Sequence, residues 1–244
     1  MRAFLISSVS HELRAPLSSI QAYNELILDG DAGPLTDGQR VFLERIDASC
    51  VRLRRVIDDL MDLSKLRAGE ISIAPEPTDI SDCVEQVVQT LQPRATEAQV
   101  DLVLEVADDL PTIETDPLRY EQVLTNLVEN GIKYNYAGGS VRIRVWAENG
   151  GVIAAVTDTG PGIAENEQAR IFEEFQRGAD QLTRSREGAG LGLAIASRVA
   201  EYLGGNLSLE SRTGYGSTFT FLVPATTAAQ SEQAMPGTNE GIQS

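Results

Sequence analysis

Histidine occurs once in 244 residues, at position 11, and cysteine only twice, at positions 50 and 83. Two cysteines offer neither a disulfide framework nor metal-ligand spacing, which fits a reducing compartment and predicts a cytoplasmic protein. Basic charge is also scarce: 20 Lys and Arg face 36 Asp and Glu, a net charge of −16. That field repels a phosphate backbone and argues against direct binding of nucleic acid or an anionic membrane. No apolar run approaches the roughly 20 residues of a membrane span, and no secretory leader precedes the first helical pattern. The chain opens at "MRAFLISSVSH", already inside an apolar helical pattern, which predicts natural sequence upstream. Any membrane attachment would come through such an upstream sensor.

What the sequence does have is apolar material, 42% of its residues, enough for real cores. Residues 1–68 read as two helices. Leu5, Val9, Leu13, Leu17, Ile20, Asn24 and Ile27 recur at steps of three or four. Phe42, Ile46, Ser49, Leu53, Val56, Leu60 and Leu63 keep a 4-3-4-3 alternation, a coiled-coil-like seam. Between them "DGDAGPLTDG" is turn-rich, with Thr36 or Asp37 available as the N-cap. One apolar stripe per helix leaves too little core for a lone hairpin. Pairing two hairpins into a four-helix bundle buries both stripes, so a homodimer is expected.

"RAGEISIAPEPTD" breaks the pattern, and residues 69–78 are expected to be a linker. Beyond it, residues 79–224 mix helices and strands into an α/β sandwich. "TDPLRYEQVLTNLVENGIKY" reads as a helix capped by Asp116 with Pro117 at its first position. "VRIRVWAE" and "GVIAAVTD", joined by "NGG", read as a hairpin. Residues 225–244 are small and polar without periodicity, the mark of a disordered tail.

Four stretches of this second region carry chemistry. "DTGPGI" (158–163) ends a buried strand in a carboxylate and follows it with glycines that let a backbone come close. "GAGLGLAI" (188–195) places glycines at a helix start, where free N–H groups suit phosphate oxygens. It meets neither the dinucleotide fingerprint nor the P-loop pattern. "NLVENGIKY" (126–134) puts Asn126 and Asn130 on one helix face, with Lys133 a turn further. An amide oxygen is a hard neutral ligand suited to Mg²⁺ shared with phosphates, Lys133 supplies positive charge to them, and Tyr134 offers an aromatic edge to a base. "IFEEFQRG" (171–178) is the fourth. Each alone reads as a turn, a capped helix, a solvated face or a pair of core phenylalanines. All four, running along the chain in the order 126, 158, 171, 188 and in an α/β context, are poorly explained by coincidence.

The chain resembles the catalytic core of the sensor histidine kinases of bacterial two-component signalling. "SHELRAPL" is similar to the phosphoacceptor H box and "NLVENGIKY" to the N box. "DTGPGI", "IFEEFQRG" and "GAGLGLAI" are similar to the G1, F and G2 boxes, and "GYGSTFTFLVP" to the closing strand. The resemblance covers residues 1–224. It implies a dimeric helical hairpin followed by a Bergerat-type ATP-binding sandwich, ATP and Mg²⁺ as cofactors, and a response-regulator receiver domain as partner. It implies that His11 accepts the γ-phosphoryl group while Glu12 takes or shares the imidazole proton. By the same resemblance Asp158 receives the adenine amino group, with Gly160 and Gly162 allowing close approach. Asn130 holds Mg²⁺ beside Asn126, Lys133 contacts phosphate and Tyr134 neighbours adenine. Gly188, Gly190, Leu191 and Gly192 form the phosphate-side turn, and Thr218 matches the adenine-site hydroxyl. Residues 163–187 become a mobile lid from which Arg177 and Arg186 approach the phosphates.

Gyrase-like and chaperone ATPases share this fold but use a glutamate four residues before the metal-binding asparagine. Here that position is Asn126, which cannot act as a general base, and Glu129 faces elsewhere. A nucleotide-binding dimeric scaffold without transfer is the other alternative; the transfer residues being intact argues against it. One departure stands out. Relatives that dephosphorylate their receiver carry Thr or Asn where this chain has Ala15, and a methyl group neither donates nor accepts a hydrogen bond. Weak phosphatase activity is expected.

Overall fold

A computed structural model describes residues 2–176 and 189–225, with side chains from residue 12 onward. Among these residues the chain divides into two compact units. The first takes the chain up to Ser72 together with the short stretch ending at Ile195, and the second takes the remainder.

The first unit is built on α1 (Arg2–Leu28) and α2 (Asp37–Ala68). Pro16 sits inside α1 and costs it one backbone hydrogen bond. Thr36 is the N-cap of α2: Gln39 N–H donates to its Oγ1, and the Gln39 side chain receives the Thr36 N–H at 2.9 Å. This reciprocal box settles the choice left open between Thr36 and Asp37. The helix stops at Gly69, which adopts φ 68°, a left-handed cap that glycine takes without strain. Leu17, Cys50 and Ile57 form the buried line between the helices. The predicted seam lies beside that line instead of in it. Phe42, Ile46 and Leu53 are exposed, 66%, 43% and 48%, and with Leu17, Ile20 and Cys50 they line an open apolar groove. An apolar face left open in this way is what half of a bundle presents.

In the second unit, β1 (Glu76–Thr78) pairs antiparallel with β3 (Ile113–Thr115). The linker expected over 69–78 therefore ends in a strand; Pro77 is tolerated because a two-stranded ribbon is all edge. Next come α3 (Ile80–Glu97), β2 (Asp101–Val106), α4 (Pro117–Lys133), β4 (Ser140–Glu148) and β5 (Gly151–Asp158). The short α5 (Glu165–Gln168), α6 (Gly192–Tyr202), whose first residues to Ile195 fall in the first unit, β6 (Asn206–Arg212) and β7 (Gly216–Pro224) complete the order of elements. The main sheet runs β2-β4-β5-β7-β6, with β2 parallel to β4 and every other pair antiparallel. The β4–β5 connection is the two residues Asn149 and Gly150, φ 52° and 76°, the doubly left-handed turn that matches strand twist.

Alternation along β5 and β7 sends Val152, Ala154, Val156 and Asp158, with Ser217, Phe219, Phe221 and Val223, to the buried face. There Tyr120 of α4 packs on Phe221 with ring centroids 5.1 Å apart. Gly131 brings α4 close to the sheet: a Cβ added there would lie 2.9 Å from Val141 Cγ2 and 3.7 Å from Asp158 Cβ.

Candidate nucleotide site

The cap of α4 fixes the helix that carries the asparagines. Asp116 accepts from Arg119 N–H through one carboxylate oxygen and from Ala74 N–H, 3.0 Å, through the other. The helix start is thus tied to the chain entering the unit. Asn126 and Asn130 are half-buried on one face, and neither amide side chain has a hydrogen-bond partner among the described residues. Glu129 points away, paired with Arg94 of α3 at 2.7 Å. At the end of the helix the Lys133 ammonium stands 4.5 Å from the centroid of the Tyr134 ring.

Asp158 closes β5 with its side chain buried beneath the sheet. Burial pushes its carboxyl above the ordinary 3.8, while the backbone N–H groups of Gly160 and Ser217 pull the other way. The Gly160 N–H donates to one carboxylate oxygen at 2.8 Å. Gly160 is needed because a Cβ there would stand 2.6 Å from the Tyr134 carbonyl oxygen, where the end of α4 meets the loop. Gly162, at φ 69°, is pressed against the Arg212 carbonyl of β6. The close approaches that both glycines permit are therefore contacts within the protein that shape the loop around Asp158.

Sequence reasoning missed the residues that hold this loop. Asn135, buried, donates from Nδ2 to Ser140 O at 2.9 Å and accepts at Oδ1 from Thr159 Oγ1 and Tyr136 N–H. At the other end the Ile163 N–H donates to Ser211 Oγ at 2.8 Å. Thr218 is not beside Asp158. It pairs across strands with Thr157, hydroxyl to hydroxyl at 3.0 Å, on the opposite sheet face. Ser217 occupies the Asp158 face instead, because side chains alternate along a strand and one residue of register reverses the face. The alternation of Phe219, Phe221 and Val223 already pointed to position 217.

Gly190, at φ 72°, and the buried Leu191 precede α6, which Gly192 opens. The His11 backbone is helical within α1, and Glu12 is exposed beside Arg14, itself bonded to Asp58 at 2.7 Å. The side chain of His11, and Arg177, Arg186 and Gly188 entirely, lie outside the described residues. So do residues 226–244 and residues 177–187 of the 163–187 segment read as a lid. Its described beginning is anchored, with Phe172 edge-on to Phe219 at 6.4 Å between centroids.

The arrangement fits a purine nucleotide. A buried carboxylate with one oxygen held by Gly160 can accept an exocyclic amino group, and two unpartnered amides with a lysine nearby suit a metal-bound triphosphate. Among the described residues no three His, Cys, Asp or Glu side chains gather as a metal cage. Mg²⁺, which keeps most of its shell for water and phosphate, does not need one.

A hairpin carrying one histidine, followed by a nucleotide-binding α/β unit, defines a class of phosphotransfer protein, and comparison with known proteins agrees. Residues 1–69 match the His Kinase A (phospho-acceptor) domain. Residues 115–227 match the histidine kinase-, DNA gyrase B-, and HSP90-like ATPase. The circadian input-output histidine kinase CikA of Synechococcus elongatus is 36% identical over 233 residues, 95% of this chain and 31% of CikA. The signal transduction histidine-protein kinase BarA of Escherichia coli K12 is 33% identical over 226 residues, 91% of this chain and 24% of BarA. The chain thus spans a third or less of the length of these relatives. Full-length ShkA in complex with AMPPNP has a similar structure, with TM-score 0.78 and 33% identity over 92% of this chain and 46% of that one. The histidine kinase AdeS of Acinetobacter baumannii follows at TM-score 0.63 and 25% identity, over 89% and 98% of the two chains. This chain belongs to the sensor histidine kinases of two-component signalling.

Proposed function

We propose that the chain uses ATP to phosphorylate His11 and then passes the phosphoryl group to an aspartate of a response-regulator receiver domain. The observation that carries this reading is the pairing of a phosphoacceptor hairpin, with the sole histidine on its first helix, and a unit whose buried Asp158 lies against α4 at Gly131, on the helix that also carries Asn126 and Asn130. Near pH 7 a neutral imidazole nitrogen has a free lone pair. Its attack forms the N–P bond as the bond from the γ-phosphorus to the bridging oxygen of ADP breaks, and Glu12 takes the ring proton. Asp158 orients the base through its amino group, with Ser217 rather than Thr218 beside it and Tyr134 at the rim. Asn126 and Lys133 hold the phosphates. Mg²⁺, held by Asn130 and phosphate oxygens, would neutralise charge developing on the transferred group. The AMPPNP bound by ShkA supports an adenine nucleotide.

The chain acts as a homodimer through the open groove of the hairpin, and as two functional domains, residues 1–68 and 79–224. Among the described residues no helix is long and apolar enough to cross a membrane. We place this core in the cytoplasm, with no direct contact with nucleic acid. Water activation of the gyrase kind is disfavoured, because Asn126 is no base and Glu129 is committed to Arg94. Ala15 makes receiver dephosphorylation weak.

Incubation with γ-labelled ATP and Mg²⁺ is expected to give acid-labile label on the natural chain and none on His11→Gln. Label persisting on the variant would overturn the assignment.

A further inference from the structure

We propose that Gln168 and Ser211 are positioning residues for nucleotide recognition, which bolt the far end of the Asp158–Ile163 loop to the β6–β7 hairpin. The inference rests on the nucleotide-site reading above and names the device that holds its base-recognising carboxylate. The loop has two glycines, one left-handed, and so has wide freedom unless it is fixed. Its near end continues β5 and is held by Asn135 and Ser140. Its far end enters only the four-residue α5, too short to be an anchor in itself.

The anchor is the hairpin. Gln168 Nε2 donates to two main-chain carbonyls from distant segments, Ile163 at 3.0 Å and Ser211 at 2.9 Å. Ser211 Oγ accepts the Ile163 N–H, donates to Gly216 O at 2.9 Å and lies 2.9 Å from Ser217 Oγ, the neighbour of Asp158. Between them Gly214 N–H donates to Pro161 O at 2.6 Å. Both loop ends are then set before a ligand arrives, and binding need not order them. Gln168 acts through the loop: its role is two donors in one place, which an amide nitrogen supplies without charge.

The test measures AMPPNP and GMPPNP affinity by calorimetry on the full chain. The variants are Gln168→Met, similar in reach without donors; Gln168→Lys, whose ammonium can serve both carbonyls; and Ser211→Ala. Gln168→Met and Ser211→Ala are expected to weaken AMPPNP about fivefold to tenfold and to narrow the adenine-over-guanine preference by a similar factor. Gln168→Lys should stay within about twofold of the natural chain. A purely structural role would lower the melting temperature without changing the preference, and that result overturns the proposal, as does unchanged binding in folded variants. Should Gln168→Met fail to fold, Ser211→Ala and Gln168→Lys decide the matter by the same ratio. A natural chain that binds neither nucleotide overturns the nucleotide-site reading and this inference with it.

Discussion

The two units treat their apolar residues in opposite ways. In the hairpin Ile20, Phe42, Ile46 and Leu53 stand in the open while a thin line at Leu17, Cys50 and Ile57 is covered. In the α/β unit Val84, Tyr120, Val123, Leu124, Val141 and Phe221 are fully enclosed. The first pattern suits the surface that the proposed dimer would cover, the second a fold finished within one chain. Apolar content alone would not separate them; the difference lies in whether a stripe or a sheet face finds cover in its own chain.

The largest effect that would sharpen this contrast comes from a charge in the open groove. Ile46→Glu costs little in a lone chain, where the position is exposed. In a bundle the carboxylate is dehydrated without a partner, a penalty on the order of 3–5 kcal/mol. Sedimentation should show the dimer weakened by more than about a hundredfold. A variant that stays dimeric would place the interface elsewhere.

Gly131→Ala probes the finished unit. The new Cβ would crowd the buried Val141 side chain at 2.9 Å and 3.1 Å. Overpacking costs about 1–3 kcal/mol, against about 1 kcal/mol gained in helix propensity. The net expectation is a lower melting temperature with dimerisation untouched; a melting temperature that holds or rises would show that Val141 gives way.

Asp158→Asn is the subtlest. The folded state holds the Asp158 pKa above the ordinary 3.8, chiefly by burial, so it binds that proton more readily than the unfolded chain. Ionised Asp158 therefore opposes folding, and this penalty grows as pH rises from 3.8 through the raised value. The variant should flatten that part of the pH profile and leave the nucleotide-free chain at least as stable as the natural one near neutral pH. Nucleotide binding should fall at the same time. An unchanged pH profile in thermal melts would remove Asp158 as its source.

Local chemistry made much of this legible in the sequence. Asp116 and Pro117 marked the start of α4, "NGG" marked the β4–β5 turn, and the break after α2 fell at Gly69. What stayed hidden depends on partners far along the chain. The three-residue β1 and β3 are too short for periodicity, and alternation in β2 does not say that it lies parallel to β4. Thr218 is named by resemblance alone; the phenylalanines two and four residues beyond Ser217 carry the register that puts Ser217 on the Asp158 face. Asn135, Gln168 and Ser211 are ordinary polar letters until the fold brings their carbonyl and amide partners within reach. Gly131, mid-helix, was a signal in plain view, since glycine weakens a helix and is kept there only for close approach.

The place of β7 has a consequence for how the protein is made. This strand lies between β5 and β6, and Gly216 at its start presses against the Asp158 carbonyl. A ribosome releases Asp158 well before it releases Pro224, a delay on the order of seconds. The contacts between α1 and α2 can form during that interval, but the sheet lacks the strand that joins β6 to β5. The loop at Asp158 is therefore completed late in synthesis, and a nascent chain halted before Gly216 would carry the α1–α2 hairpin with an unfinished sheet and, on the reading proposed above, no competent nucleotide site.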